Sequence, residues 1–155
     1  DVIEVLDSGQ PTNSKIYEFY RESVIAEGCP LSADNYQLFQ FNEVELAILT
    51  GNEEWKDLNN YSVVTRLDCG EIEFLFMGDA EKEVEEILTG DISAEILKVG
   101  HHGSASSSSA EFLARVNPEV AVISVGEGNR YGHPDEGKLQ RLEGYDRRCR
   151  GTLCE

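Results

Sequence analysis

Histidine is scarce in this chain, with three in 155 residues, and basic residues are scarce as well, 13 Lys and Arg against 30 Asp and Glu. The resulting formal charge of −17 repels nucleic-acid phosphate over the ~8–10 Å that electrostatics reach in salt. No basic stripe with interleaved aromatics is present; "RLEGYDRRCR" near the end is the one basic cluster. Net charge therefore speaks against this surface as a non-specific nucleic-acid binder. Acidity of this kind serves solubility or a salt-rich habitat, or marks carboxylates gathered around cations, and only local clustering separates those readings. No apolar run approaches the ~18–20 residues of a membrane-spanning helix. The opening "DVIEVLDSG" reads as a strand under way, and no signal peptide is expected from it. The four cysteines, Cys29, Cys69, Cys149 and Cys154, form no CxxC pair, which weakens a zinc-ribbon or thioredoxin-like reading. Cys149 and Cys154 are close enough in sequence to bridge in an oxidising compartment; free thiols are the alternative. A serine hydrolase is disfavoured too, because no G-x-S-x-G elbow holds a serine on a strained turn.

What is present suits one soluble α/β domain spanning residues 1–155. At 40% hydrophobic, a chain of this length buries roughly two thirds of its unfolded surface. A strand over Val2–Leu6 and the turn "DSGQPTNS" lead into a helix capped by Ser14, with Ile16, Phe19, Tyr20 and Ile25 as its apolar face. "NYQLFQFNEVELAIL" alternates as two short strands do, and "YSVVTRL", "DCGE" and "IEFLFMGD" read as a hairpin. The rhythm then becomes strand, loop, helix. "EFLFMG" precedes "DAEKEVEEIL", with Val84, Ile87 and Leu88 on one face; "EILKVG" precedes "HHGSASSSS" and "AEFLARV"; "EVAVISVG" precedes "EGNRYGHPDEG" and "KLQRLEG". β-Branched strands alternating with amphipathic helices predict an α/β layered arrangement.

The chemistry-bearing residues sit at the ends of those strands. Asp79 ends "FLFMG", His101 and His102 follow "ILKVG", and His133 lies in the loop after "AVISVG". In α/β folds, loops at the carboxyl ends of strands converge on sites. Each residue has a plainer use: Asp79 as a helix cap, a GHP histidine as part of a turn, the serine run as a loop capping the next helix. Together, imidazole plus carboxylate on successive loops matches the ligand preference of zinc or manganese. Ser104 and Ser106–Ser109 beside His102 offer the rival use of histidine, nucleophilic catalysis.

The segments "NNYSVVTRL", "FLFMGDAEKEVEEIL", "ILKVGHHGSASSSSAEFLARVNPEVAVISVG" and "NRYGHP" resemble the metallo-β-lactamase-like hydrolase domain of the DNA-uptake competence protein ComEC. The likeness is specific from about Asn59 to about Leu142. The opening "VIEVLDSGQPTNSKIYEFY" resembles the middle of the same domain, and the tail "DRRCRGTLCE" is only loosely like its closing strand. The resemblance implies an αβ/βα layered fold with two metal ions between two sheets, hydrolysing esters, amides or phosphodiesters. By resemblance, Asp79 is the bridging aspartate of the GD motif and His133 the late histidine ligand. His101 or His102 is then a base, a proton donor to the leaving oxygen, or a ligand itself.

The HxHxDH motif that supplies most ligands in that family is absent here. The chain is thus expected to be the C-terminal part of such a fold, incomplete or inactive alone, with one sheet face left bare. More chain, or a homodimer, would cover that face. The expected function is metal-dependent hydrolysis of a phosphodiester or other ester with zinc or manganese, nuclease-like by resemblance, with nucleic acid left open as a substrate. The alternative is a non-catalytic binding or assembly module that keeps the fold without the metal site. The resemblance suggests an extracytoplasmic setting.

Overall fold

A computed structural model describes residues 2–33, 36–51 and 53–145 of the chain. Over these residues the protein is mixed α/β. Strands β1 (Val5–Asp7) and β2 (Leu31–Ala33) pair in parallel around helix α1 (Lys15–Glu27). A six-stranded sheet follows in the order β3 (Leu38–Phe41), β4 (Val44–Ile48), β5 (Thr65–Asp68), β6 (Glu73–Phe76), β7 (Ile96–Lys98) and β8 (Val120–Val122). The first four strands form an antiparallel meander, whereas β6, β7 and β8 run parallel. Helices α2 (Lys82–Ile87) and α3 (Ala110–Val116) make the crossovers, and α4 (Glu136–Tyr145) ends the described part.

Local chemistry accounts for the boundaries. The Ser14 hydroxyl accepts the Tyr17 N–H at 3.0 Å, and Gly28, in the left-handed region at φ 74°, closes α1. Ser109 caps α3 by accepting the Phe112 N–H at 3.2 Å, the capping role expected for the serine run. The first strand is shorter than the sequence suggests, Val5–Asp7 rather than Val2–Leu6, and β2 carries no sequence signal that marked it. Cys149, Cys154 and the basic tail lie outside the described residues; Cys29 and Cys69 are free thiols.

The two sheet faces differ. One carries Leu75 and Leu97, fully buried against Val84 and Leu88 at α2, Phe112, Leu113 and Val116 of α3, and Leu142 of α4. On the other, register lines up Phe39, Leu46, Leu67, Phe74, Ile96 and Val120 across all six strands. This row is only half-buried and contributes nothing to the core cluster. Phe41, Phe76 and Val122 on the same face are exposed. The apolar face assigned to α1 is also open: Ile16, Phe19 and Ile25 are 83%, 71% and 72% exposed, and Val24 alone is buried. The helical period is real, but none of the described residues covers these three side chains. Tyr20 instead donates to Asp7 at 2.9 Å, and burial beside that carboxylate pushes its hydroxyl up to about 12. No helix among the described residues is long and apolar enough to cross a membrane.

One buried carboxylate organises the helical layer. Glu85 is 2% exposed, yet its two oxygens accept the N–H groups of Ser108 and, at 2.9 Å, Ser109. Arg141 of α4 donates to the Ser108 carbonyl at 2.7 Å, tying a third element to the same turn. Losing a buried charged acceptor strands two backbone donors. Glu85→Ala is expected to lower the unfolding free energy by about 2–4 kcal/mol in urea denaturation, and the exposed Glu83→Ala by less than about 0.5 kcal/mol.

Candidate functional site

Three loops at the carboxyl ends of β6, β7 and β8 meet at one edge of the sheet because those strands are adjacent and parallel. The first is Met77–Glu81. Its backbone is held by the "NNYS" segment: Ser62 Oγ accepts the Asp79 N–H at 2.8 Å, and the buried Asn60 accepts the Glu81 N–H at 2.9 Å. Gly78 has φ 58°, and a Cβ there would stand 2.9 Å from the Ser62 side chain.

The second loop, Gly100–Gly103, is a short 3₁₀ turn in which His101 and His102 both adopt left-handed backbone, at φ 46° and 52°. Two consecutive non-glycine residues there are costly, and the surroundings hold them. The His101 N–H donates to the Gly78 carbonyl at 3.0 Å, and the His101 carbonyl accepts the Ser104 N–H at 2.8 Å. Gly100 lies so close to the first loop that a Cβ would meet the Ala80 carbonyl at 2.8 Å. The strain turns the adjacent imidazoles in different directions.

His102 Nδ1 lies 2.6 Å from the Ser124 carbonyl, and its Nε2 lies 3.4 Å from Asp79 Oδ1. Both residues are nearly half exposed, at 47% and 44%. His101 Nδ1 lies 3.0 Å from Glu81 Oε1. Its ring packs edge-on against His133, centroids 5.6 Å apart, and Tyr131 stacks on His133 at 5.9 Å. The third loop is braced by Asn129, whose Oδ1 accepts the N–H groups of Tyr131 and His133, both at 3.1 Å, and whose Nδ2 donates to the His133 carbonyl at 2.6 Å. The Asp135 N–H donates to the Gly103 carbonyl at 2.9 Å and joins the second and third loops.

All four residues singled out in the sequence thus lie at this edge, but in two pairs: Asp79 with His102, and His101 with His133. Among the described residues, no group of three or more His, Cys, Asp and Glu side chains is arranged to hold a metal ion. Residues not assigned from sequence also shape the site. Glu81 stands two positions after Asp79, and Asn60, Ser62 and Asn129 sit in segments whose pattern was visible while their roles as backbone braces were not. Lys98 emerges on the open sheet face in register with Phe76 and Val122. Burial holds its amine below the usual lysine range, the nearby Asp79 charge opposing that shift.

The serines do not form a nucleophilic triad. Ser106 donates to Glu81 Oε1 at 2.6 Å, the oxygen that His101 Nδ1 also approaches. In a triad, serine and carboxylate engage opposite nitrogens of the ring; here both lie on the Nδ1 side. Ser107 donates to the Gly100 carbonyl at 2.8 Å and Ser109 caps α3.

No family model matches the chain. Individual proteins do. ComE operon protein 3 of Bacillus subtilis (strain 168) is 32% identical over 147 residues, covering 92% of this chain and 19% of that protein. Competence protein ComA of Neisseria gonorrhoeae is 36% identical over 146 residues, 88% of this chain and 20% of its own length. Recombination protein 2 of Haemophilus influenzae is 39% identical over 88 residues, 56% of this chain and 11% of that protein. These similarities support a competence-related family. The chain spans about one fifth of the length of the first two relatives, at 19% and 20%.

Because the first two loops touch through backbone, their contact distance is a direct lever on the site. Gly100→Ala is expected to cost about 1–3 kcal/mol of stability and to displace His101 and His102 from Glu81 and Asp79. Thermal melting reads the first effect, and histidine ring chemical shifts read the second.

Proposed function

We propose that the chain is the C-terminal part of a metallo-β-lactamase-like αβ/βα domain that hydrolyses phosphodiesters or other esters with zinc or manganese, in the service of DNA uptake. The observation that carries the reading is the Asp79–His102 pair. A carbonyl oxygen only accepts, so the 2.6 Å contact with Ser124 requires the proton on His102 Nδ1. In the neutral ring, Nε2 then presents a lone pair to a carboxylate oxygen 3.4 Å away. The contact is met by a proton on Nε2, as an imidazolium–carboxylate pair, or by a metal ion between the two groups. The spacing fits a metal, since two ligands of a tetrahedral ion bound at roughly 2.0–2.1 Å stand about 3.3–3.4 Å apart.

In this reading Asp79 and His102 hold the ion, with His133 contributing from the third loop and the remaining ligands coming from outside the described residues. The ion, when bound, acts as a Lewis acid on the substrate and lowers the pKa of water towards neutrality. The chain's own groups set the surroundings. Ser124 fixes the His102 tautomer, Ser62 anchors the backbone of Asp79, and Asn129 orients the loop of His133. The competence names of the relatives support the DNA-uptake role. The charge of −17 does not support this chain as the part that grips DNA.

A second reading, a binding or assembly module that keeps the fold without the metal, draws support from the lack of a three-ligand cluster among the described residues. Titration calorimetry with zinc and manganese separates the two. Asp79→Asn and His102→Ala should each weaken divalent-ion binding by at least about ten-fold, and His133→Ala should weaken it too. Binding that is absent from the unaltered chain, or indifferent to all three substitutions, would favour the module.

A further inference from the structure

We propose that Glu81 is a positioning residue of this site, which locks His101 in the Nδ1-protonated tautomer and so makes its Nε2 a proton acceptor. The inference rests on the hydrolase reading for its purpose and on hydrogen-bond geometry alone for its content. Glu81 occupies the N-cap position of α2, yet its side chain makes no cap bond to the helix. It turns instead towards the second loop, where Oε1 takes the Ser106 hydroxyl at 2.6 Å and stands 3.0 Å from His101 Nδ1. Its side chain is 15% exposed and that of His101 is 21% exposed, so water competes weakly for either group. The buried Asn60 holds the Glu81 backbone from behind at 2.9 Å.

A carboxylate only accepts hydrogen bonds. The 3.0 Å contact therefore places a proton on His101 Nδ1, and the neutral ring has none left for Nε2. Ser106 cannot supply the ring with a donor in place of that proton, because its own hydroxyl hydrogen is directed at the same Glu81 oxygen. Neutral His101 is thus fit to bind a cation or take up a proton through Nε2, and unfit to donate one from it. This divides the roles of the adjacent histidines. His102 is held by a backbone carbonyl and faces Asp79; His101 is held by a side-chain carboxylate and faces His133. Carboxylates behind functional imidazoles act in this way, setting tautomer and ring orientation.

The test is the tautomeric state of His101, read from imidazole ¹⁵N–¹H correlation spectra of the metal-free 155-residue chain at a pH where the ring is neutral. The unaltered chain should show His101 protonated at Nδ1. Glu81→Leu removes the acceptor and frees the Ser106 hydroxyl, 3.4 Å from His101 Nδ1, to donate to that nitrogen, so His101 should move to an Nε2–H majority. Glu81→Asp, which keeps the charge, should restore Nδ1 protonation at least in part. An Nε2–H or mixed His101 in the unaltered chain overturns the proposal by itself, whether or not the variants fold. So does an Nδ1–H majority that persists in a folded Glu81→Leu. The hydrolase reading fails separately, on loss of the metal-binding effect of Asp79→Asn, while the tautomer result stands.

Discussion

The site depends on a backbone contact between two loops. The Gly78 carbonyl receives the His101 N–H, and Gly100 lets the second loop lie against the Ala80 carbonyl at a distance no other residue tolerates. Beside this contact both histidines hold left-handed backbone, and the neighbouring imidazoles reach different carboxylates. With the loops further apart, Asp79, Glu81, His101 and His102 would be four exposed polar residues on two separate turns. Parallel pairing of β6 and β7 brings the loops to the same edge; small residues at Gly78 and Gly100 bring them into contact.

Electrostatics in this protein are local despite the large net charge. Most acidic side chains face solvent, but Glu81 and Glu85 are turned inward, and each is matched with donors from the loop between β7 and α3. Glu85 receives backbone N–H groups and joins α2 to α3. Glu81, one turn earlier on α2, receives a hydroxyl and an imidazole. A single short helix thereby uses one carboxylate for the fold and one for the site. The distinction lies in what each reaches: backbone donors have no other protonation state, whereas an imidazole has a second tautomer to be excluded.

The two faces of the sheet differ in what they cover. Its helix-covered face supplies the core, and its other face presents a six-residue apolar row with exposed phenylalanines beyond it. The α1 helix presents exposed Ile16, Phe19 and Ile25 in the same way. Both features lie exposed among the described residues, and Asp79 and His102 stand on loops at the carboxyl ends of the strands that carry the open face.

Much of this was legible in the chain itself. Alternation of period two and helical period specified the strand–helix rhythm after residue 72, because those elements bury one face against each other and pattern follows burial. Ser14 and the serine run before α3 declared their caps, since a cap is satisfied within three residues. The strand-end positions of Asp79, His101, His102 and His133 followed from the same rhythm. Pairing was not legible. The sequence treats His101 and His102 as equivalent neighbours, and only tertiary structure, through left-handed backbone and the reach of Ser124 and Glu81, sends one to Asp79 and the other to His133. The face of α1 was readable as apolar but not as uncovered, because a period shows which residues seek a partner and not whether the partner is there. Glu81 likewise read as one more acid in an acidic chain; its role comes from residues 20 and 25 positions away, His101 and Ser106, which no local pattern connects.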